Sequence, residues 1–214
     1  MKLQLQTGLA LAIVLATPVA ALAAAAPDKA EKVAAKMLSF EKALLEAGAK
    51  IDATLGSMNA LAKSTGPDMT KAYKTFSGDV ADLEKMAQKT KSQAEAATSQ
   101  REEYLKKWQE TQGTIQNEQL KAAAEARRTE LEPKIEAIRS SLTSAKETFT
   151  PFLQDLKDLT AFLGNDLSSA GITAASDLMQ KSTEAGTKVK GDVDRGAAAV
   201  RDLAASIQPG GVVK

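Results

Sequence analysis

From Val33 onward the apolar residues step by four and three, as Val33, Met37, Phe40, Leu44, Ile51, Leu55, Met58 and Ala62, with Gly48 in the one vacant position. That heptad spacing predicts a helix over about 28–64. Gly66-Pro67-Asp68 interrupts it, and Pro67 suits the first turn of a second helix over about 67–112. Its stripe runs through Met69, Tyr73, Phe76, Val80, Leu83, Ala87, Thr90, Ala94, Ala97 and Arg101 to Tyr104 and Trp108. Gly113 ends that run, and Thr114 or Asn117 is the next cap. A third stripe from Leu120 to Leu163 predicts a helix over about 117–163, stopped at Gly164-Asn165. A fourth, from Ile172 to Ile207, predicts a helix over about 173–207 before Pro209-Gly210-Gly211. No segment alternates as a strand does.

The fold class is therefore all-α: an elongated antiparallel four-helix coiled-coil bundle, since short loops make consecutive helices antiparallel. In such a hairpin, facing residues have position numbers with a constant sum. For the second and third helices a sum near 228 pairs Ala97 with Leu131, Ala94 with Ile135, Ala87 with Leu142 and Leu83 with Ala145. Large residues then meet small ones, as close interdigitation requires. The same arithmetic sets Ile51 against Val80 and Leu55 against Phe76. It also sets Phe149 against Gly186 and Ile138 against Gly196. The outer stripes stop at Val33 and Leu203, whereas the inner ones continue to Trp108 and Leu120. Residues 98–130 are thus expected to project as a two-helix tip, about 25 Å long at 1.5 Å per residue. Pro133 lies near the exit, where a kink is expected because proline removes a helical hydrogen bond.

Composition narrows the chemistry. The 214 residues include no Cys and no His, which excludes disulfides, thiolate sites, thiol nucleophiles and the commonest general base. No Glu-x-x-His metal site can be built, so helicity does not make this a ferritin-like oxidase. No metal site and no cofactor is expected. Met1-Lys2, an apolar run from Gly8 to Leu22 and Ala21-Leu22-Ala23 have the layout of a secretory signal peptide over residues 1–23. Residues 24–208 would then be one helical domain and 209–214 a disordered tail. Removing 1–23 takes Lys2 alone among charged residues, leaving 27 groups of each sign. A neutral chain argues against nucleic acid and against a polybasic membrane patch. The expected location is periplasmic, or secreted.

The stretch from about Tyr73 to Ile172 resembles an uncharacterised bacterial family, domain of unknown function 2959. The residues carrying the likeness are Tyr104-Leu105, Trp108, Ile115-Gln116-Asn117, Leu120 and Arg127-Arg128. The segment Pro151-Phe152-Leu153-Gln154-Asp155-Leu156-Lys157-Asp158 and the turn Phe162-Leu163-Gly164-Asn165-Asp166-Leu167 complete it. The resemblance implies an exported, helical, coiled-coil protein with no assigned reaction. Members often carry a lipidated Cys at the mature start, a residue this chain lacks.

Candidate sites concentrate at the tip: Tyr104, Lys107, Trp108, Arg127 and Arg128. Tyr104 and Trp108 either staple the thin hairpin or anchor a partner, since Trp, Tyr and Arg dominate binding hot spots. Arg101 and Arg127, with Arg128 beside them, form either a salt-bridged polar layer that fixes register or a site for an anionic partner group. Acidic pairs such as Asp155/Asp158 and Asp192/Asp194 read as solvated side chains rather than catalytic or calcium-binding ones. Gly186, Gly191 and Gly196 weaken the fourth helix by about 1 kcal/mol each relative to Ala. They either admit bulky neighbours or let the helix detach. The expected function is that of a non-enzymatic exported structural or interaction protein of the bacterial envelope, with an envelope protein as partner. A holdase-like chaperone and a reversible membrane binder acting through the fourth helix are the alternatives.

Overall fold

The computed structural model describes residues 27–208; the expected signal peptide and the 209–214 tail lie outside the described residues. Four helices follow one another, α1 (Pro27–Lys63), α2 (Asp68–Gln112), α3 (Glu118–Asn165) and α4 (Ser169–Ile207), and the described residues contain no strand. The architecture is the four-helix bundle expected. Gly66 makes the first turn in the left-handed region at φ 59°, where a side chain would be strained. Asn117 caps α3, its side chain accepting hydrogen bonds from the Gln119 and Leu120 amides.

Two boundaries differ from expectation at the last turn. Gly164 does not stop α3, which runs on to Asn165. It lies instead beneath the Tyr73 hydroxyl, the movable end of that side chain, 2.6 Å from where a Cβ would stand. Ser168 caps α4 by accepting from the Gly171 amide at 3.0 Å, so this helix begins four residues ahead of the expected 173. Pro133 and Pro151 lie inside α3, which continues through both. At the end of α1 the buried stripe passes through Leu61, and Ala62 is exposed.

Around the bundle the helices run α2–α1–α4–α3, and three of the four sides are closely packed. Between α1 and α2, Ser39 meets Gln93 at 3.1 Å, Lys50 meets Asp82 at 3.2 Å and Lys89 meets Glu46 at 2.6 Å. These pairs hold the register that sets Ile51 level with Val80. Between α1 and α4, Arg201 donates to Glu41 at 2.6 Å and Gly48 lets the helices approach Asp194. Between α3 and α4, Ser144 donates to Asp192 at 2.7 Å and Lys181 pairs with Asp155 at 3.0 Å. Asp192 is therefore not solvated as expected. It is only 2% exposed, held by Ser144 and by Arg195 one turn on. Gly186 packs against Leu55 and Phe152, and Gly196 against Leu142 and Ser141. Each bulky partner on α3 sits about one turn beyond the expected Phe149 and Ile138. Side chains lean toward their own helix N-terminus, so in an antiparallel pair contacts form between positions further along than Cα levels imply.

The fourth side is different. Although α2 and α3 are consecutive, close approaches between their backbones are few. The expected interdigitation of large with small residues does not close this seam. Deep packing of α1 on α4 sets α2 and α3 at the two ends of an arc, and Ala87, Thr90, Ala94 and Ala97 are too short to reach across. Near Leu83 and Ala145 the two helices line opposite sides of one cleft. Toward the α3–α4 turn the seam slides: Tyr73 donates to the Thr160 carbonyl at 3.0 Å and Lys157 reaches Glu84 at 2.6 Å.

The hairpin tip is shorter than 98–130. The Arg127 guanidinium donates to the Ser206 carbonyl of α4, Ala124 and Ala30 are buried, and the charges of Lys29 and Lys32 reach Glu103. The outer helices thus climb to about Glu103 and Arg127. Val33 is the first bulky residue of α1 but not its start; the helix begins at Pro27 and uses Ala30 as a further core position. What remains alone is α2 from about residue 104 and α3 to about 123, on the order of 13 Å at 1.5 Å per residue.

Candidate functional site

At the apex, Lys107 pairs with Glu103 one turn before it, and the hydrogen bond from Lys107 holds the Glu103 carboxyl below its ordinary range. Arg127 is engaged twice, by Glu130 on its own helix and by the Ser206 carbonyl on α4. This geometry favours the reading of Arg127 as a tie that fixes register over that of a free anion site. Tyr104 and Trp108 stand on α2 and Arg128 on α3, as Arg101 does on α2, but their side chains lie outside the described ones. The structure therefore places all five tip residues on the hairpin and brings Arg127 into contact with α4. Leu120, one turn into α3, is 59% exposed. This is a large apolar side chain left open to solvent among exposed polar neighbours on α3.

The second feature is the open seam. Two clefts lie along it, sharing Leu142. One is lined by Met37, Phe40, Ala94, Ile135, Val200 and Leu203, with Ala97 and Thr98 at its side. The other is lined by Leu44, Ile51, Leu83, Ala87, Phe149 and Val193, with Thr90 and Lys91. All four helices contribute to each. The Thr90 hydroxyl is satisfied by the Met86 carbonyl at 3.0 Å, so it asks nothing of a ligand. Lys91 stands at the mouth, 3.8 Å from Glu95.

Titratable groups moved from their ordinary range sit in surface ion pairs, away from both clefts. Lys89 lowers the Glu46 carboxyl, Lys50 and Lys85 lower Asp82, and Asp194 raises the Lys190 ammonium. Among the described residues no group of three or more acidic side chains is placed to hold a metal ion. No described helix is long and apolar enough to cross a membrane.

The chain matches the model of a family described as protein of unknown function (DUF2959) over residues 22–208. It belongs to that family. The match takes in all four helices, well beyond the stretch 73–172 that carries the sequence resemblance. No curated protein matches the chain, and no solved structure does. The structure gives the DUF2959-like segments physical roles. Asn117 caps α3 at the apex, and Phe152 fills the space beside Gly186. Gly164, Asp166 and Gly171 form the tight α3–α4 turn against Tyr73.

The α2–α3 clefts, and Lys91 at the mouth of one of them, are absent from the sequence-level candidates. The available signal was the run of small residues at Ala87, Thr90, Ala94 and Ala97 on one stripe. It reads equally as a tight seam or an open one, and only the packing of the other three sides decides. The reading of α4 as a detachable helix loses support. Its buried stripe runs from Gly171 to Ile207, and Gly186 and Gly196 are closely overlain by side chains of α1 and α3.

Proposed function

We propose that this DUF2959 member is a non-enzymatic protein exported to the bacterial periplasm, where its helical body holds out the α2–α3 apex to dock an envelope protein. The observation that carries the reading is Leu120, an exposed apolar side chain on the hairpin that also bears Tyr104, Trp108 and Lys107. Aromatic and cationic residues around an apolar centre are the usual makings of a protein-binding hot spot. The absence of Cys and His from the sequence leaves no ready set of acid, base and nucleophile, which supports the non-enzymatic part.

A photocrosslinker placed at Lys107 in living cells tests it. It is expected to capture one discrete protein in the periplasmic fraction, and the mature chain recovered there should begin within a few residues of Ala24. Leu120→Asp should abolish capture while changing stability by no more than about 0.5 kcal/mol, as for an ordinary surface change. Equal capture from Lys42 on the outer face of α1, or retention of Met1 on the recovered protein, would overturn the proposal.

A further inference from the structure

In the order α2–α1–α4–α3, the sparse α2–α3 side lies directly opposite α1–α4. The α1–α4 side is drawn close by its glycines. At Gly48 the Asp194 carboxylate comes within 3.3 Å of where a Cβ would stand, and at Gly186 the Leu55 side chain comes within 3.0 Å. Arg201–Glu41 and Lys190–Asp52, the latter at 3.7 Å, tie the same side. The bundle is thus two helical hairpins, α1–α2 and α3–α4, joined along α1–α4 as along a spine. The α2–α3 side is the free edge.

That edge is held at both ends. At the apex the 113–117 loop joins α2 to α3 covalently. Near the α3–α4 turn two hydrogen bonds cross it, from the Tyr73 hydroxyl to the Thr160 carbonyl and from the Lys157 ammonium to Glu84. Both stand in an open groove also lined by Ser77, Val80 and Gly164. The Lys157 and Glu84 side chains are 40% and 42% exposed, so water can replace this pair at little cost. Gly164 is the seat of the other bond, since it leaves the space into which the Tyr73 hydroxyl reaches. Between these ends lie the two clefts, where α2 and α3 stand apart. Parting α2 from α3 at the turn end therefore breaks two solvent-reached bonds and little packing. Parting any other side would break the core.

We propose that the bundle opens along α2–α3, hinged on α1–α4, and that the Tyr73–Thr160 and Lys157–Glu84 bonds are the latch that holds it shut. Opening starts at the latch and widens both clefts, so two bonds set the access of solvent to the apolar interior. It is independent of what the apex docks.

Thiol labelling of the whole mature chain with Ellman's reagent tests this, since the chain has no cysteine of its own. Val80→Cys places a buried thiol beside the latch. Ala43→Cys places one between α1 and α2, where the Ala43 carbonyl faces the Thr90 hydroxyl. When reclosing outpaces the reagent, the rate at each thiol follows the population of the open form. The Val80→Cys chain is expected to react faster than the Ala43→Cys chain. Tyr73→Phe should speed the first about fivefold, the worth of one hydrogen bond, and Lys157→Gln about twofold. Gly164→Ala should match Tyr73→Phe without lowering the melting temperature, because α3 stays helical in the open form. Added to Tyr73→Phe it should do nothing more, both acting on one bond. None of these changes should speed the Ala43→Cys chain by as much. Labelling at Val80→Cys that ignores Tyr73→Phe and Gly164→Ala would overturn the proposal. Equal acceleration at both thiols would do so too, since it would mean that the chain opens only by unfolding.

Discussion

Phe152→Ala is expected to destabilise the protein by about 3–5 kcal/mol, the range for deleting a fully buried aromatic ring. Phe152 has no exposed surface, packs over Gly186, and meets Phe149 edge-to-face with ring centroids 6.3 Å apart. The cavity left by the ring would be walled by α1 and α4, which three closely packed sides prevent from collapsing. Phe149→Ala should cost clearly less, because Phe149 is only partly buried and lines the open seam. Trp108→Ala should also fall below that range, since α2 at that level has run past the reach of α1. Urea denaturation of the three variants checks the order. A Trp108 loss equal to that of Phe152 would mean that the apex is part of the body.

Gly171→Ala is the second large effect. A Cβ there would stand 2.2 Å from the Asp166 carbonyl oxygen, a backbone atom, and 3.1 Å from its carboxyl carbon. Asp166 is fixed by its amide, which donates to the Phe162 carbonyl at 3.0 Å, and by Ser168, which donates to its carboxylate at 2.7 Å. The turn must open to admit a methyl group, so the loss should reach the upper end of overpacking penalties, about 3 kcal/mol. Gly164→Ala makes the informative contrast. Its Cβ would press on the Tyr73 hydroxyl, the free end of a side chain that can swing away. The change forfeits one hydrogen bond worth about 1 kcal/mol, while Ala in place of Gly inside a helix returns a similar amount. It should be nearly neutral. A Gly171 variant as stable as the Gly164 variant would contradict the geometry of this turn.

These two sites show what periodicity carries and what it does not. Heptad stepping alone locates four helices to within a few residues, because the apolar stripe and the breakers at Gly66-Pro67 and Gly113 are local signals. The α1–α2 register is legible too, since a short loop leaves few choices. The end of α3 near Gly164-Asn165 is legible, but a glycine near a helix end has two physical uses, and the proximity of Tyr73 to Gly164 is a tertiary fact. The burial of Asp192 is not legible along the chain, because it depends on Ser144, 48 positions away. At the tip, Leu120 and Trp108 are legible as the far ends of the inner stripes, but the reach of α1 depended on Ala30, too small to register as a stripe residue. The open seam is the least legible feature. Small residues facing large ones predict contact, and only the close α1–α4 packing, with Gly48 and Gly186 in it, shows why contact fails.

That seam is the centre of the account, and disulfide closure measures it directly, because the chain has no cysteine of its own. A Cβ at Gly196 would lie 3.7 Å from the Ser141 Cβ, the spacing of a natural disulfide. Ser141→Cys with Gly196→Cys should therefore close under mild oxidation, locking α3 to α4. Ala94→Cys with Ile138→Cys, whose side chains line opposite walls of one cleft, should stay reduced under the same conditions and be joined only by a longer bifunctional reagent. Closure of the α2–α3 pair as readily as the α3–α4 pair would contradict an open seam.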